Sequence, residues 1–138
     1  MRQIPLLPAL FLGLSLPVLL SACATCPDYI EITYAADGMP VVTPNSCRVT
    51  VGATVTWRGP ESDNTPFTLR FDGDPGTVEK GTPPAGERGM IAMPASLEVE
   101  AEAGLPREVV ITAENPGDYK YDVDANGHSL DPHIIIEK

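Results

Sequence analysis

Pro116-Gly117-Asp118-Tyr119-Lys120-Tyr121-Asp122-Val123-Asp124-Ala125-Asn126-Gly127-His128, running on to Ile134-Ile135-Ile136-Glu137, decides how this chain folds. Tyr119, Tyr121 and Val123 alternate with Lys120, Asp122 and Asp124, the two-residue period of a strand with one apolar face. Ala125-Asn126-Gly127-His128 supplies a reversal, because Asn and Gly accept the positive φ that a tight turn needs. A second strand centred on Ile134-Ile135-Ile136 closes the chain. The stretch predicts a terminal β-hairpin.

Upstream, the same period recurs. Val49, Val51, Ala53, Val55 and Trp57 share one parity, and Arg48, Thr50, Gly52, Thr54, Thr56 and Arg58 share the other. Gly52 interrupts this run, which reads as two collinear strand pieces with a corner at Val51-Gly52-Ala53. Trp57 is expected in the core. Phe67, Leu69 and Phe71 oppose Thr68, Arg70 and Asp72, and Val109 and Ile111 oppose Glu108, Val110 and Thr112 in a strand over Arg107–Ala113. Tyr29–Tyr34 gives the first strand, Asp37-Gly38-Met39-Pro40 a turn, and Val41–Thr43 a short strand. Thr77–Lys80 is a weak strand and Met90–Met93 a short one. Ser96–Ala103 reads either as a short helix, on Ala, Leu and Glu propensity, or as a strand, since Leu97 and Val99 alternate with Glu98 and Glu100. With 15 prolines, hardly any window can hold a helix longer than two turns. The default is an all-β sandwich.

The first residues are not part of that body. Arg2 is followed by an apolar run from Ile4 to Leu20 and then by small residues, the pattern of an export signal. A retained membrane helix would need about 20 apolar residues, and Pro5, Pro8 and Pro17 interrupt a shorter run. Leu20-Ser21-Ala22-Cys23 resembles the lipobox of bacterial lipoproteins. That resemblance implies cleavage before Cys23, acylation of its thiol and amine, and a lipid bilayer as partner. Ala24 after the modified cysteine implies sorting to the periplasmic face of the outer membrane rather than retention on the inner one. The expected organisation is a signal peptide over 1–22, a lipidated cysteine and short tether over 23–28, and one domain over 29–138.

Removing 1–22 takes Arg2 away and leaves all 19 acidic residues, so the formal net charge moves from −10 to −11. Nucleic-acid phosphates and anionic lipid are disfavoured as direct ligands by that sign, which suits solubility, a body held near a membrane by its lipid, or a basic partner. Once Cys23 is assigned to lipid, Cys26 and Cys47 remain as an even pair in an oxidising compartment and are expected to form a disulfide. Closing a loop of roughly 20 residues would stabilise by roughly 3 kcal/mol.

Three stretches in order resemble cupredoxins, the Greek-key β-sandwiches known for blue copper: Val51-Gly52-Ala53-Thr54-Val55-Thr56-Trp57, then Asn64-Thr65-Pro66-Phe67-Thr68-Leu69-Arg70-Phe71, then Pro116-Gly117-Asp118-Tyr119-Lys120-Tyr121. The resemblance implies an all-β, cupredoxin-like Greek-key sandwich. It does not carry the metal across. A type-1 site takes two imidazoles, a thiolate and usually an axial thioether. The early histidine would fall at or beside Asn64, the cysteine at Val123, the second histidine at His128 and the methionine near Leu130. One of four positions is filled, so the expectation is no type-1 copper and no cofactor.

Other chemistry is thin. His128 and His133, with Asp131 between them and Asp122 or Asp124 close by, have the residue types of a small copper, zinc or calcium site. The plain alternative is a turn histidine and a strand-start histidine bonded to backbone or water. Asp122-x-Asp124-x-Asn126-Gly127 matches half of a calcium loop, but position twelve is His133 rather than Glu. Met39, Met90 and Met93 are available as soft ligands, though the latter two serve equally as core filling. Asp72-Gly73-Asp74 is an acidic turn of an ordinary kind. Hydrolase, zinc-protease and P-loop patterns are missing from the sequence, and Ser129, His128 and Asp131 are too close in one turn for triad geometry. The expected role is therefore non-catalytic: a structural or interaction domain for another envelope protein, with 59–66 and 72–88 as its long loops. A periplasmic metal-binding role through His128 and His133 is the alternative.

Overall fold

Apolar residues at every second position, punctuated by glycine and proline, fold here into strands and turns. The computed structural model describes residues 24–82 and 96–138. Among them are eleven strands: β1 (Ile30–Tyr34), β2 (Pro40–Thr43), β3 (Ser46–Thr50), β4 (Thr54–Arg58), β5 (Thr68–Phe71), β6 (Gly76–Lys80), β7 (Glu98–Glu100), β8 (Glu108–Ala113), β9 (Gly117–Ala125), β10 (His128–Leu130) and β11 (His133–Glu137). They form two sheets in the orders β2-β1-β4-β8-β6 and β3-β11-β9-β5-β7, with β10 also on β9. The chain crosses between sheets from β4 to β5 and again from β8 to β9. Because β4 lies beside β8 and β5 beside β9, the two crossings interlock in Greek-key fashion. The all-β sandwich expected from the sequence is what the chain forms.

Every core-facing parity is filled. Ile30 and Ile32, Val55 and Trp57, and Val109, Ile111 and Ala113 point inward from one sheet. Leu69 and Phe71, Tyr121, Val123 and Ala125, and Ile134 and Ile136 point inward from the other. Each large apolar side chain so buried contributes roughly 1.5–3 kcal/mol. At the centre Trp57 packs edge-on against Phe71 and Tyr121, with ring centroids 5.7 and 5.6 Å away.

The terminal hairpin forms as expected. Asn126 and Gly127 take φ of 52° and 77°, the left-handed pair that a two-residue turn matching strand twist requires. One register runs from His128 opposite Ala125 to Ile136 opposite Gly117. The return strand is split into β10 and β11 only around Pro132, which has no N–H to give; its carbonyl still accepts from Tyr121 N–H at 3.0 Å. The ambiguous 96–103 stretch resolves as strand. β7 pairs with β5, and Val99 is fully buried opposite Leu69.

One expectation is corrected. The pieces either side of Gly52 are not collinear. Thr50–Ala53 is a tight turn, closed by Ala53 N–H to Thr50 C=O at 3.0 Å with Gly52 at φ 94°, and it sends the chain from β3 in one sheet to β4 in the other. Val51 and Ala53 keep the apolar parity in sequence but lie exposed at this reversal. The expected strand at Met90–Met93 falls outside the described residues, as do the signal segment and Cys23.

The Cys26–Cys47 disulfide is present, with Cα atoms 4.7 Å apart. It fastens the start of the domain to β3. Arg48 N–H donates to Ala24 C=O at 3.0 Å and Cys26 N–H to Arg48 C=O at 2.8 Å, so Ala24–Cys26 runs parallel along the outer edge of β3. From Ala24 onward the expected tether is laid against the sheet.

Candidate functional site at the hairpin

His128, His133, Asp131, Asp122 and Asp124 all lie on or beside the β9–β11 hairpin, and its register places each of them. Directly opposed residues of an antiparallel pair share a face. His128 opposes buried Ala125 and so shares the core-side face at the hairpin tip, whereas His133 opposes exposed Lys120 on the outer face. The two histidines are on opposite sides of the sheet. Asp122 and Asp124 alternate with Tyr121 and Val123 and therefore face outward with His133. Asp131 also faces outward, 3.8 Å from Lys120 Nζ. Among the described residues no group of three or more His, Cys, Asp or Glu side chains converges as a metal-holding cluster.

The outward carboxylates have a partner that the sequence reading passed over. Arg70 on β5 sits opposite Asp122, and its guanidinium pairs with Asp124 and, at 3.9 Å, with Asp122. On its other side Arg70 faces Glu98 of β7. This row of Glu98, Arg70 and Asp122 spans three strands, a contact that emerges only when the strand order is known. A cation placed among the acids disperses their repulsion and ties β5 to β9.

Around the tip, Pro66, Thr68, Glu100, Asp124 and residues 125–129 border an open groove of about 490 Å³. The tip itself is held from behind. Asn126 Nδ2 donates to Gly38 C=O at 2.9 Å, joining the hairpin to the 35–39 turn, where Gly38 N–H reaches Ala35 C=O and Ala35 N–H reaches Met39 C=O. Asn126 thus serves both as the left-handed turn residue and as a clamp between the sheets.

Of the four positions that the cupredoxin resemblance assigns to copper, two are cross-strand partners. Val123 is completely buried in the core, and Leu130 packs against it from the partner strand. His128 is half-buried at the tip. Asn64 is exposed in the 59–67 loop, where Arg107 Nε donates to both its backbone carbonyl and its side-chain oxygen at 2.9 Å. Beside it Asp63 accepts from the Thr65 hydroxyl and the Thr65 N–H, which hold its carboxyl below the usual carboxylate range.

The opposite sheet carries a second ion network. Glu108 accepts from Lys80 Nζ at 2.9 Å and from Arg58 Nε at 3.0 Å. The Lys80 hydrogen bond, outweighing partial burial and joined by Arg58, keeps the Glu108 carboxyl below its ordinary range. Arg58 in turn lies over the Tyr29 ring, 4.4 Å from its centroid.

No protein-family model matches this chain, and no curated protein matches it. Among solved structures it is similar to the blue copper oxidase from Nitrosomonas europaea, with 13% sequence identity and a TM-score of 0.41 over 81% of this chain. The match covers 44% of the oxidase, so this chain spans less than half the length of that protein.

Proposed function

We propose that the mature chain is a lipid-anchored envelope protein: a cupredoxin-like sandwich, acylated at Cys23, on the periplasmic face of a bacterial outer membrane, with a non-catalytic interaction role. The observation that carries this reading is the fate of the cysteines. Cys26 and Cys47 are joined to each other, and of the three cysteines in the chain that leaves Cys23, the last residue of Leu20-Ser21-Ala22-Cys23, for the lipid. Ala24, the residue after it in sequence, accepts from Arg48 N–H of β3 through its carbonyl. Two or three acyl chains give stable anchoring where a single chain gives marginal binding. Val123 supports a role other than blue-copper electron transfer, since an aliphatic side chain sealed in the core occupies the place the resemblance gives to the thiolate. The acidic mature chain and its 59–66 loop suit a basic protein partner.

Mass spectrometry of the first tryptic peptide tests the anchor. After processing it runs from Cys23 to Arg48, because no Lys or Arg intervenes, and it contains the whole disulfide. The expected mass is that of the peptide plus a diacylglyceryl group and an amide-linked acyl chain, from outer-membrane fractions. A peptide carrying unprocessed residues, or a free Cys23 thiol, rejects the reading.

A further inference from the structure

Resting on the anchor at Cys23, the geometry points to a specific lipid-facing side: we propose that the β2/β3 edge of the sandwich docks on the bilayer surface, with the β6/β7 edge turned away. The argument begins with slack. Cys23 is bonded to Ala24, whose carbonyl is held by Arg48 N–H, and two residues on, Cys26 is locked by hydrogen bond and disulfide to β3. Adjacent Cα atoms are about 3.8 Å apart, and the polar layer on each side of a bilayer is about 5–8 Å deep. A lipid seated at Cys23 therefore leaves no free chain between the acyl-glycerol and the sheet edge. The link Pro44-Asn45 sets β2 and β3 on the same side of the sandwich.

The surface chemistry agrees independently. Among the described residues five large apolar side chains are exposed: Val41 (45%) lies on β2, Met39 (38%) and Val51 (40%) flank β2 and β3 in sequence, and Tyr29 (40%) precedes β1. Leu105 is the fifth. Edge strands β2 and β3 contain no carboxylate and one cation, Arg48, although Asp28 and Asp37 stand on the neighbouring turns. The opposite edge strands, β6 and β7, carry Glu79, Glu98 and Glu100 against Lys80. An apolar, carboxylate-poor edge fits an anionic lipid surface, and an acidic edge is repelled by it. Tyr29, with Arg58 stacked on its ring, has the amphipathic character of residues enriched at headgroup depth.

The test uses the lipidated full-length mature protein in phosphatidylethanolamine–phosphatidylglycerol vesicles containing a headgroup-labelled quencher lipid. The native thiols are all engaged, so a cysteine introduced as Asn45→Cys or Glu100→Cys takes a fluorophore selectively. The β3-β11-β9-β5-β7 sheet is five strands wide, and at about 4.8 Å per step its two edges are about 19 Å apart. Quenching at position 45 should exceed that at position 100 by about threefold or more, given a polar layer thinner than this span. Met39→Glu with Val41→Glu, both on exposed side chains, should lower quenching at position 45 while leaving the unfolding midpoint in place. Equal quenching at the two positions, or no response to the double substitution, in protein whose Cys23–Arg48 peptide carries its acyl mass, overturns the docking and leaves the anchor standing. A peptide without acyl mass overturns both.

Discussion

Trp57 donates its indole N–H to the phenol oxygen of Tyr121 across 3.1 Å, and both side chains are buried. Trp57 comes from β4 and Tyr121 from β9, so this bond joins the two sheets in the middle of the core. Their rings meet at 79°, an edge-on contact that places the donor over its acceptor. An indole needs a partner when buried, and here the strand alternation of the terminal hairpin delivers one. The pair is the point where sequence parity becomes a specific tertiary contact.

Tyr121→Phe removes the acceptor and keeps the ring. The Trp57 N–H is then buried without a partner, which costs about 1–3 kcal/mol. Urea unfolding followed by Trp57 fluorescence should show a lower midpoint at unchanged slope. A double cycle with Trp57→Phe should give a coupling of about 0.5–3 kcal/mol, as for residues in direct contact. Additive effects would mean the bond contributes nothing of its own.

The same phenol sets an alkaline limit. Burial pushes the Tyr121 hydroxyl up from 10.0 to about 12, with the Trp57 hydrogen bond pulling slightly the other way. A raised folded-state value means the folded protein holds its proton after the unfolded chain has lost it. Stability from this group is complete below pH 10 and drains away as the pH climbs towards 12. At 1.36 kcal/mol per unit, the loss is roughly 2–3 kcal/mol. Tyr34, half-buried and likewise raised to about 12, bends the curve the same way. In Tyr121→Phe the decline between pH 10 and 12 should be visibly shallower than in the parent; identical curves would rule the phenol out.

Reduction of the disulfide should act locally as well as globally. Its cysteines are 21 residues apart, so Cys26→Ala with Cys47→Ala should cost roughly 3 kcal/mol. The amides of Cys26 and Arg48, which tie the leading segment to β3, should lose hydrogen-exchange protection first. Protection in β9 should persist until global unfolding. Uniform loss across both sheets would show that the bridge stabilises the whole sandwich without pinning that edge.

How far the sequence revealed this structure follows from which interactions are local. Period-two alternation exposed β4, β5, β8 and the hairpin, since each buries one face and the apolar residues mark it, while β-rich composition exposed β1. Asn126-Gly127 announced its turn because few other pairs accept two left-handed residues. The turn at Gly52 misled, because apolar parity runs unbroken through Val51 and Ala53 while the backbone reverses. Arg70 stayed hidden for another reason. Its tie to Asp122 and Asp124 depends on β5 lying beside β9, and strand order across a sandwich is not written in any local period. The histidines are a mixed case: their proximity in sequence was plain, but an odd spacing of five in one strand sends them to opposite faces.

Two glycines discriminate backbone strain from steric exclusion. Gly52 has φ 94° and open space where a Cβ would go, so Gly52→Ala should cost only the left-handed penalty of about 1–2 kcal/mol. Gly76 starts β6 against β8, and a Cβ there would lie 1.9 Å from the Thr112 carbonyl oxygen. Backbone cannot yield as a side chain does, so Gly76→Ala should cost roughly 3 kcal/mol or more, with β6 pulled off the sheet. Urea midpoints rank the two directly. Equal midpoints would mean that the β6–β8 edge opens at little cost.

Opposite placement of His128 and His133 makes a sharp prediction for metal titration. Zinc chloride added to the protein should perturb the two imidazoles independently in ¹H–¹⁵N NMR spectra, each weakly. The outer face offers His133 its neighbours Asp131 and Lys120, and an ammonium opposite the ring repels a cation. The carboxylates of Asp122 and Asp124 are engaged by Arg70, so recruiting them means breaking those ion pairs. His128 lies at the tip on the core-side face, whereas Asp122 and Asp124 point to the outer one. His128→Ala should then leave the His133 response unchanged, and His133→Ala should leave that of His128 unchanged. Both imidazoles shifting together at substoichiometric zinc, with the response lost in either variant, would require a rearranged hairpin and restore a shared metal site.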